Sequence, residues 1–480
     1  MKICHLYVRI MLKLRLLYKL PALVLFICSA CVILLLISVL ELRWIQDEHL
    51  KYHHDDTTVV PRTEKVTKTD MRHLKHVFEM LDYFNCQRTS LNASDWDVLW
   101  SFYYPFRILS TYVKDMKPHQ LVNHFPGTGY ITNKVDLALS GIAHIPPAFK
   151  LPNQKAALLD YVKKHPQKLF VQKSNSHRGI RIQKVEDLNL NTPETFVQEF
   201  IHNPLLVDGF KFDVGIYTII TSIDPLRLFC PEKYHPFDPQ NLNKYVIGDD
   251  YLPTWKVPSL MKYYNELGFG MRESLNAHLR SQGLFFNPQK IWDQMEEAIR
   301  LTYSTPLDLL YQKMVFLLIV HVMLIFYLQA NMSPNLSSDH YPPNQLLYRQ
   351  VLFGLFSIVG LAHFKSKFRT EVKIQSFRDV IITQSLKNIM VDSKSCSSHM
   401  CETCMSPECQ LCMNCLTASN IRTLKQTYRE FNNKQDNKRI FPPTMVSEAA
   451  APIDLEDYSS ENQFMYRWFR KKCLMDVHWC

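Results

Sequence analysis

The sequence predicts an α/β fold behind an N-terminal transmembrane helix. Residues 21–40 carry no charge and are long enough to cross a membrane as a helix. The runs Phe196–Ile201 and Phe210–Ile223 are rich in β-branched and aromatic residues, which is typical of buried strands. Helical patterns begin at Met71 and cover Val351–Phe364. Strands and helices that share one chain in this way indicate the α/β class.

The composition is that of a globular protein. The 480 residues are 47% hydrophobic, which is enough for two packed units and an anchor. The 12 glycines and 26 prolines exclude collagen-like and linker-dominated chains. The net charge of +10 comes partly from the N-terminal leader and partly from the last 120 residues, so we expect no nucleic-acid partner.

The uncharged run Pro21–Leu40 is the predicted membrane span. The leader before it, residues 1–20, has no acidic residue, and its basic residues are Lys2, Arg9, Lys13, Arg15 and Lys19. The positive-inside rule therefore places the leader in the cytosol. No small-x-small cleavage site follows the run, which favours an uncleaved signal anchor. We expect a single-pass type II membrane protein whose bulk is lumenal or extracellular.

The residues after the span carry further marks of that topology. Residues 41–72 are charged and polar and are predicted to form a stalk, in which the pair His53–His54 is interpreted as solvated rather than metal-binding. Two sequons, at Asn92 and Asn335, are candidates for glycosylation on the lumenal side. A third sequon, at Asn331, is discounted because a proline follows it.

Two strand patterns carry lysines at polar ends. The run from Lys168 ends at Lys173 and leads into a polar loop that contains Arg178 and Gly179. Lys211 lies at the polar corner that opens the next long strand run. Lysines on neighbouring strands bind phosphate oxygens as compact charges. The pattern therefore predicts a nucleotide site.

At these residues the chain resembles the tubulin tyrosine ligase-like family, whose members have an ATP-grasp-type ligase fold. The resemblance extends from about Asp95 to about Gly360 and suggests an atypical, membrane-anchored branch. It implies an ATP-grasp-like ligase domain with an ATP-binding set made of a strand lysine and its loop, a hinge, and a corner. These residues are Lys173, Arg178, Gly179, Gln198, Glu199, Phe200, Ile201, Lys211, Phe212 and Asp213.

The resemblance also implies an activity. Ligases of this family use ATP and Mg²⁺ to activate a carboxylate as an acyl phosphate, which an amino group then attacks. The expected reaction is ATP-dependent addition of an amino acid, with glutamate as the first candidate, to tubulin or another acidic protein. A lumenal domain would not meet cytosolic tubulin, so the expected acceptor and the expected topology conflict.

The metal motif departs from the family pattern. The Glu-x-Asn pair of the family corresponds to Gln329 and Asn331 in this chain. Mg²⁺ prefers hard, charged oxygen ligands, and an amide oxygen brings no negative charge. Gly215 stands where active members carry an arginine suited to carboxylates. The sequence therefore predicts a weakened ligase or, alternatively, a catalytically inactive membrane-tethered pseudoenzyme that acts as a binding or scaffolding protein.

The apolar run Met314–Leu328 has two interpretations. Its 15 residues are short for a membrane span, and they are rich in Val, Ile and Phe. We therefore expect two back-to-back strands of a covered sheet rather than a second span.

Six of the 13 cysteines lie within 20 residues near the C-terminus: Cys396, Cys401, Cys404, Cys409, Cys412 and Cys415. Their CxxC spacings suit a zinc site, but the spacer between Cys404 and Cys409 is short for a zinc ribbon. Three disulfides are the alternative, and an oxidising lumenal location favours them. The sequence leaves the pairing open.

Three further features receive structural interpretations. Gly127-Thr-Gly129 lacks the lysine of a phosphate loop and is predicted to form a turn. His119 and His124 are expected to form structural hydrogen bonds. The basic, aromatic segment Tyr466–Lys472 is interpreted as a solvated helix end rather than as a contact surface for an acidic partner.

The predicted organisation follows from these features. Its parts are the leader 1–20, the span 21–40, the stalk 41–72, an N-terminal α/β subdomain 73–165, ATP-grasp-like central and C-terminal subdomains 166–365, and a cysteine-rich module with its tail 390–480.

Overall fold

The structure is a computed structural model that describes parts of the chain from Lys68 onward. The described residues are 68–84, 86, 96–117, 120–174, 181–193, 195–201, 205–212, 214–231, 254–283, 287–304, 316–323, 326–331, 333–334, 336–339, 344–361, 385–391, 395–397, 399–407, 409–445, 456 and 458–480. The span 21–40 and the His53–His54 pair lie outside them, as do His119 and the sequons at Asn92 and Asn335. Within the described ranges, no helix is long and apolar enough to cross a membrane.

The chain forms helices and strands throughout its described ranges. The helices are α1 (Lys68–Tyr83), α2 (Pro105–Ile108), α3 (Ser110–Val113), α4 (Gly129–Thr132), α5 (Lys134–Leu139), α6 (Lys155–Lys164), α7 (Pro258–Met261), α8 (Met271–Ser281), α9 (Gln289–Ser304), α10 (Asn344–Ile358), α11 (Ala418–Asn432) and α12 (Ser460–Met475). The strands are β1 (Val98–Leu99), β2 (Leu121–Val122), β3 (Ala148–Leu151), β4 (Phe170–Ser174), β5 (Arg181–Gln183), β6 (Thr195–Glu199), β7 (Leu206–Val207), β8 (Phe210–Lys211), β9 (Val214–Ile223), β10 (Leu226–Pro231), β11 (Phe316–Met323), β12 (Phe326–Asn331) and β13 (Asn437–Phe441). The fold is therefore α/β, as predicted.

Five strands form an antiparallel sheet, the central sheet, in the order β12-β11-β9-β10-β13. Its longest strand, β9, lies in the middle and is largely buried, as its β-branched and aromatic side chains predict. Strands β11 and β12 pair as a hairpin. The prediction of two strands in the run Met314–Leu328 is therefore confirmed.

A second antiparallel sheet, the small sheet, has the order β3-β6-β4-β5. On one of its faces, Phe170 of β4 and Val197 of β6 pack with Leu158 of α6. Because successive strand residues point to opposite faces, the residues that alternate with these are turned away from α6. This alternation decides which polar side chains the small sheet offers on each face.

Helices α1 and α10 pack over the central sheet. Val77 of α1 and Leu352 of α10 share one core with Tyr217 and Ile219 of β9. Helix α10 overlaps the run predicted as a buried helix and begins before it, and Gly360, with φ of +95°, follows its end. Helix α1 begins at Lys68, inside the predicted stalk 41–72, so the end of that range is helical rather than part of a stalk.

The C-terminal residues complete the central sheet. Strand β13 pairs with β10 and forms an edge of the sheet. Arg227 of β10 lies with its Nε 2.8 Å from the carboxylate of Glu430 in α11, and both side chains are almost fully buried. Thr221 Oγ1 donates to the same carboxylate at 2.6 Å. The range 390–480, predicted as a cysteine-rich module and tail, thus contributes the fifth strand and half of a buried ion pair.

Helix α12 corrects the interpretation of Tyr466–Lys472 as a solvated helix end. Trp468 and Phe469 are buried with Trp479 in a C-terminal core. Trp468 Nε1 donates to the Ile389 carbonyl oxygen at 2.9 Å. The interpretation was wrong because the basic residues of this segment are interspersed with an apolar stripe at helical spacing, and the stripe is what packs.

The six clustered cysteines form three disulfides, Cys396–Cys412, Cys401–Cys409 and Cys404–Cys415. A fourth disulfide, Cys473–Cys480, joins α12 to the turn that carries Trp479. Zinc binds thiolates, which disulfide sulfurs are not. The part of the chain that the structure describes also has no group of three or more His, Cys, Asp or Glu suited to a metal. Of the two alternatives for the cluster, the structure has disulfides rather than zinc.

Removing the charge of Glu430 is expected to destabilise the protein. In Glu430→Gln the buried Arg227 loses its carboxylate partner, which costs about 3 kcal/mol of the free energy of unfolding. Urea unfolding followed by circular dichroism measures the change. Asp160→Asn is the matched control, because Asp160 pairs with Lys163 at 3.8 Å in an exposed position. A loss below about 1 kcal/mol for Glu430→Gln would contradict the role given to the pair.

Candidate functional site

Lys173 and Gln198 form a defined polar pair at the predicted nucleotide site. They lie on neighbouring strands, with Lys173 opposite Phe196 and Gln198 opposite Val171, so both share one face of the small sheet. Lys173 Nζ donates to Gln198 Oε1 at 3.1 Å. Gln198 Nε2 donates to the Pro146 carbonyl oxygen at 3.2 Å. The amide is thus fixed at its nitrogen and orients the lysine ammonium with its oxygen.

Glu199 faces the opposite side of the small sheet. Its carboxylate accepts a hydrogen bond from Tyr161 Oη at 2.7 Å and forms an ion pair with Lys168. Burial alone would raise the pKa of Glu199, but the hydrogen bonds from Lys168 and Tyr161 lower the pKa overall. Burial and the bond to Glu199 raise the pKa of Tyr161 to about 12. The carboxylate is therefore engaged behind the sheet, away from the face of Lys173.

The backbone of the predicted hinge, residues 198–201, is held from two sides. The Glu199 N–H donates to the Pro147 carbonyl oxygen at 2.9 Å, and the Phe200 N–H donates to the Leu169 carbonyl oxygen at 2.8 Å. Phe200 and Ile201 are partly buried. The hinge therefore continues β6 between its two neighbouring strands and has a fixed backbone position.

The predicted corner at Lys211, Phe212 and Asp213, which we call the lysine corner, follows a two-residue hairpin turn. Strands β7 and β8 pair across Asp208 and Gly209, whose φ angles are +53° and +80°. A turn of this kind needs a left-handed conformation at both positions, which Asp-Gly adopts readily. The Asp208 carboxylate accepts a hydrogen bond from the Ser259 N–H at 3.0 Å, in the first turn of α7. The hairpin places the backbone of Lys211 and Phe212 directly before β9.

The central sheet brings the predicted metal positions into register with the start of β9. Gln329 lies opposite His321 of β11, and His321 lies opposite Gly215. Asn331 is two residues further along β12, so its position is on the same face as that of Gln329. Strand pairing therefore aligns Gln329, Asn331 and Gly215, three positions of the family pattern, across the central sheet.

Two residues expected to have structural roles, His124 and Gly127, lie between β2 and α4. His124 Nε2 lies 2.8 Å from the Ser101 carbonyl oxygen, and burial lowers the pKa of His124 to about 4. The imidazole is neutral at physiological pH and serves as a structural hydrogen-bonding group, as predicted. Gly127 has φ of +78° in a turn, also as predicted.

The remaining predicted residues lie beyond what the structure describes. They are Arg178, Gly179 and Asp213, together with the side chains of Lys211 and Gln329. The described part of the site fits a nucleotide better than a metal ion. Lys173 presents an oriented cation suited to phosphate. Gln329 and Asn331 are neutral amides, which are a weak donor set for Mg²⁺.

Sequence reasoning missed the partners of Glu199. Tyr161 lies 38 positions away, in α6, and Lys168 lies 31 positions away, at the start of the run that ends at Lys173. The available signal was weak. A glutamate at the end of an apolar strand indicates that a polar partner exists, but it does not say which one.

Comparison with known proteins places these elements in one family. The family model "Tubulin-tyrosine ligase family" matches residues 113–308. The chain is 35% identical over 476 residues to "Probable tubulin polyglutamylase ttll-15" of Caenorhabditis elegans, covering 90% of this chain and 88% of that protein. It is 31% identical over 158 residues to "Tubulin polyglutamylase TTLL7" of Mus musculus, covering 28% of this chain and 17% of that protein. It is 23% identical over 424 residues to "Tubulin monoglutamylase TTLL4" of Homo sapiens, with coverages of 78% and 33%.

A solved structure shows a weaker similarity. The C-terminal domain of Pby1 from K. lactis, described as an ATP-grasp enzyme interacting with the mRNA decapping enzyme Dcp2, aligns with a TM-score of 0.41 and 14% identity. The alignment covers 64% of this chain and 93% of that domain, and it is too distant to assign a fold. The sequence relatives decide the matter, because one of them is 35% identical and is spanned over 88% of its length. The chain belongs to the tubulin-tyrosine ligase family.

Proposed function

We propose that the protein is an ATP-dependent ligase that adds an amino acid, glutamate in the first instance, to a protein such as tubulin. The observation that carries the proposal is the 35% identity to "Probable tubulin polyglutamylase ttll-15" over 88% of that protein. The Lys173–Gln198 pair supports it, because an oriented lysine on a strand suits a triphosphate. An ATP-grasp-like arrangement of the small and central sheets around the nucleotide is part of the same proposal.

The proposed reaction has two displacements. An acceptor carboxylate oxygen attacks the γ-phosphorus of ATP, ADP leaves, and an acyl phosphate forms. The amino group of the incoming amino acid then attacks the acyl carbon, loses a proton, and displaces phosphate. Lys173 and Lys211 hold phosphate oxygens in this scheme, and the hinge receives the adenine. Gln198 holds the Lys173 ammonium in place before the nucleotide arrives, which reduces the conformational freedom lost on binding.

The β12 positions favour a second candidate function. Gln329 and Asn331 supply no negative charge, whereas Mg²⁺ bound to ATP in enzymes is usually held by carboxylates. A chain with this donor set suits a relative that lacks efficient ligation and acts as a binding or scaffolding protein. The ligase requires ATP binding and turnover, whereas the inactive relative requires neither.

Lys173 is expected to contribute directly to ATP affinity. In Lys173→Met the phosphates lose a cation, and the dissociation constant for ATP should rise at least about tenfold. Isothermal titration calorimetry of the purified chain, with and without Mg²⁺, measures it. Lys163→Met, at an exposed lysine of α6, is the matched control and should leave the affinity unchanged. Failure of the unsubstituted protein to bind ATP at millimolar concentration would exclude the ligase and leave the inactive binding or scaffolding protein.

Restoring the family carboxylate is expected to restore metal dependence. Gln329→Glu adds a charged oxygen ligand at β12 and should increase ATP affinity in Mg²⁺ by about tenfold, with no gain in its absence. Incorporation of labelled glutamate into protein measures ligation in parallel. Ligation by the unsubstituted chain supports the ligase, whereas ligation that appears only with Gln329→Glu supports the inactive relative. A variant with no change in Mg²⁺ dependence would contradict the assignment of this position.

We also propose that residues 21–40 anchor the chain as a type II membrane protein with its bulk on the lumenal side. Four disulfides among the described residues support an oxidising compartment. In that compartment the acceptor would be a lumenal or extracellular protein, and in the cytosol it would be tubulin. The location therefore selects between acceptor classes.

Glycosylation tests the proposed topology. If the bulk of the chain is lumenal, peptide N-glycosidase should increase its electrophoretic mobility after expression in animal cells. Asn92→Gln and Asn335→Gln should each remove part of the shift. Asn433→Gln, at an asparagine outside any sequon, is the control. A chain that is membrane-bound and shows no shift would contradict the lumenal location.

A further inference from the structure

We propose that Tyr161 and Lys168 are positioning residues for nucleotide binding and that they act through Glu199 of the hinge. We name these three residues the hinge strap. The inference rests on the proposed function. It states that residues on the α6 face of the small sheet affect ATP binding on the face that carries Lys173. Neither Tyr161 nor Lys168 belongs to the predicted ATP-binding set.

The contacts of the hinge strap fix Glu199 from two directions. Tyr161 lies on α6 and donates to one carboxylate oxygen at 2.7 Å. Lys168 follows α6 and pairs with the other oxygen. The Tyr161 ring itself contacts the rings of Phe149 and His165, with centroid distances of 5.5 and 4.4 Å. The carboxylate is therefore bound to a packed support rather than to mobile side chains.

Strand geometry connects the back of the hinge to its front. Gln198 and Glu199 are consecutive, so their side chains point to opposite faces of β6. A rotation of the strand that moved Glu199 away from α6 would also turn Gln198 and with it the Lys173 ammonium. The hinge strap resists this rotation. It thereby sets the orientation of the cation that meets the phosphates and the position of the backbone that meets the adenine.

The energetics of the hinge strap favour positioning over stabilisation. The Lys168 side chain is 35% exposed, so water partly screens its ion pair with Glu199, whose side chain is 12% exposed. Pairs of this kind typically add less than about 1 kcal/mol to stability. Small displacements of binding groups, in contrast, reduce function strongly. Losing the hinge strap should therefore affect ATP affinity far more than it affects unfolding.

The test uses the full chain with three substitutions and a control. Tyr161→Phe removes only the hydroxyl group, and Lys168→Met keeps the side-chain length but removes the charge. Lys168→Arg retains a cation and serves as the conservative rescue. Lys163→Met is the matched control, because Lys163 is an exposed lysine of the same helix and pairs with Asp160. Each protein is examined by ATP titration, by urea unfolding, and by hydrogen exchange of peptides covering residues 196–201 without nucleotide.

The expected result has three parts. Tyr161→Phe and Lys168→Met raise the dissociation constant for ATP about tenfold, because ATP binding must then restore the hinge geometry that the hinge strap holds in the parent. Amide exchange in residues 196–201 becomes faster in these two variants, while the free energy of unfolding falls by no more than about 1 kcal/mol. Lys168→Arg and Lys163→Met behave like the parent in all measurements.

Two results would overturn the inference and leave the proposed function intact. One is an unchanged ATP affinity in both variants while the parent binds ATP. The other is a loss of affinity that is fully explained by a lower unfolding midpoint, with exchange increased across the whole protein. Failure of the parent to bind ATP would overturn the proposed function and the inference together.

Discussion

The buried ion pair between Arg227 and Glu430 is the contact on which the central sheet depends. It joins residues 203 positions apart, and the cost of taking both charges out of water is met only when their remaining hydrogen bonds are made. Thr221 and Gln426 donate two of these bonds to Glu430, at 2.6 and 2.8 Å. Because α11 leads directly into β13, the pair also fixes where the edge strand lies. Strand β9 pairs with β10 and begins directly after the lysine corner, so the position of β10 also constrains the position of the corner.

Two different devices hold the two halves of the candidate site. In the small sheet, strand alternation sends Gln198 to the face of Lys173 and Glu199 to the face of α6, so one pair of consecutive residues works on both sides. At the corner, a left-handed Asp208-Gly209 turn and a bond from the Ser259 N–H set the approach of the chain to β9. Both devices fix the backbone, and the backbone in turn positions the side chains. Precise recognition of a flexible triphosphate requires such an arrangement.

Local patterns predicted much of this fold, and distant pairings explain what was missed. The strands around Lys173 and Gln198, the hairpin of β11 and β12, and helix α10 follow from periodicity and β-propensity, which act over neighbouring residues. The family resemblance supplied the predicted hinge and corner, and their role in nucleotide binding stays a prediction. The partners of Arg227 and Glu199 could not be predicted, because nothing in a charged residue specifies which distant segment will meet it. The prediction for Tyr466–Lys472 was wrong because basic residues alternate with the apolar residues of its buried stripe. The partners of that stripe are distant in sequence and meet it only in the folded C-terminal core.

The position of β13 has a consequence for how the chain is made. A ribosome completes β10 about two hundred residues before it reaches β13, so the nascent chain presents β10 as an open sheet edge for much of its synthesis. Such an edge pairs readily with other chains, and the high contact order of this pairing slows its closure. Helper proteins that shield nascent strands would therefore matter more for this chain than for one whose sheet closes locally. The same argument sets a lower limit on the autonomous folding unit, which must extend through residue 441 even though the family model ends at residue 308.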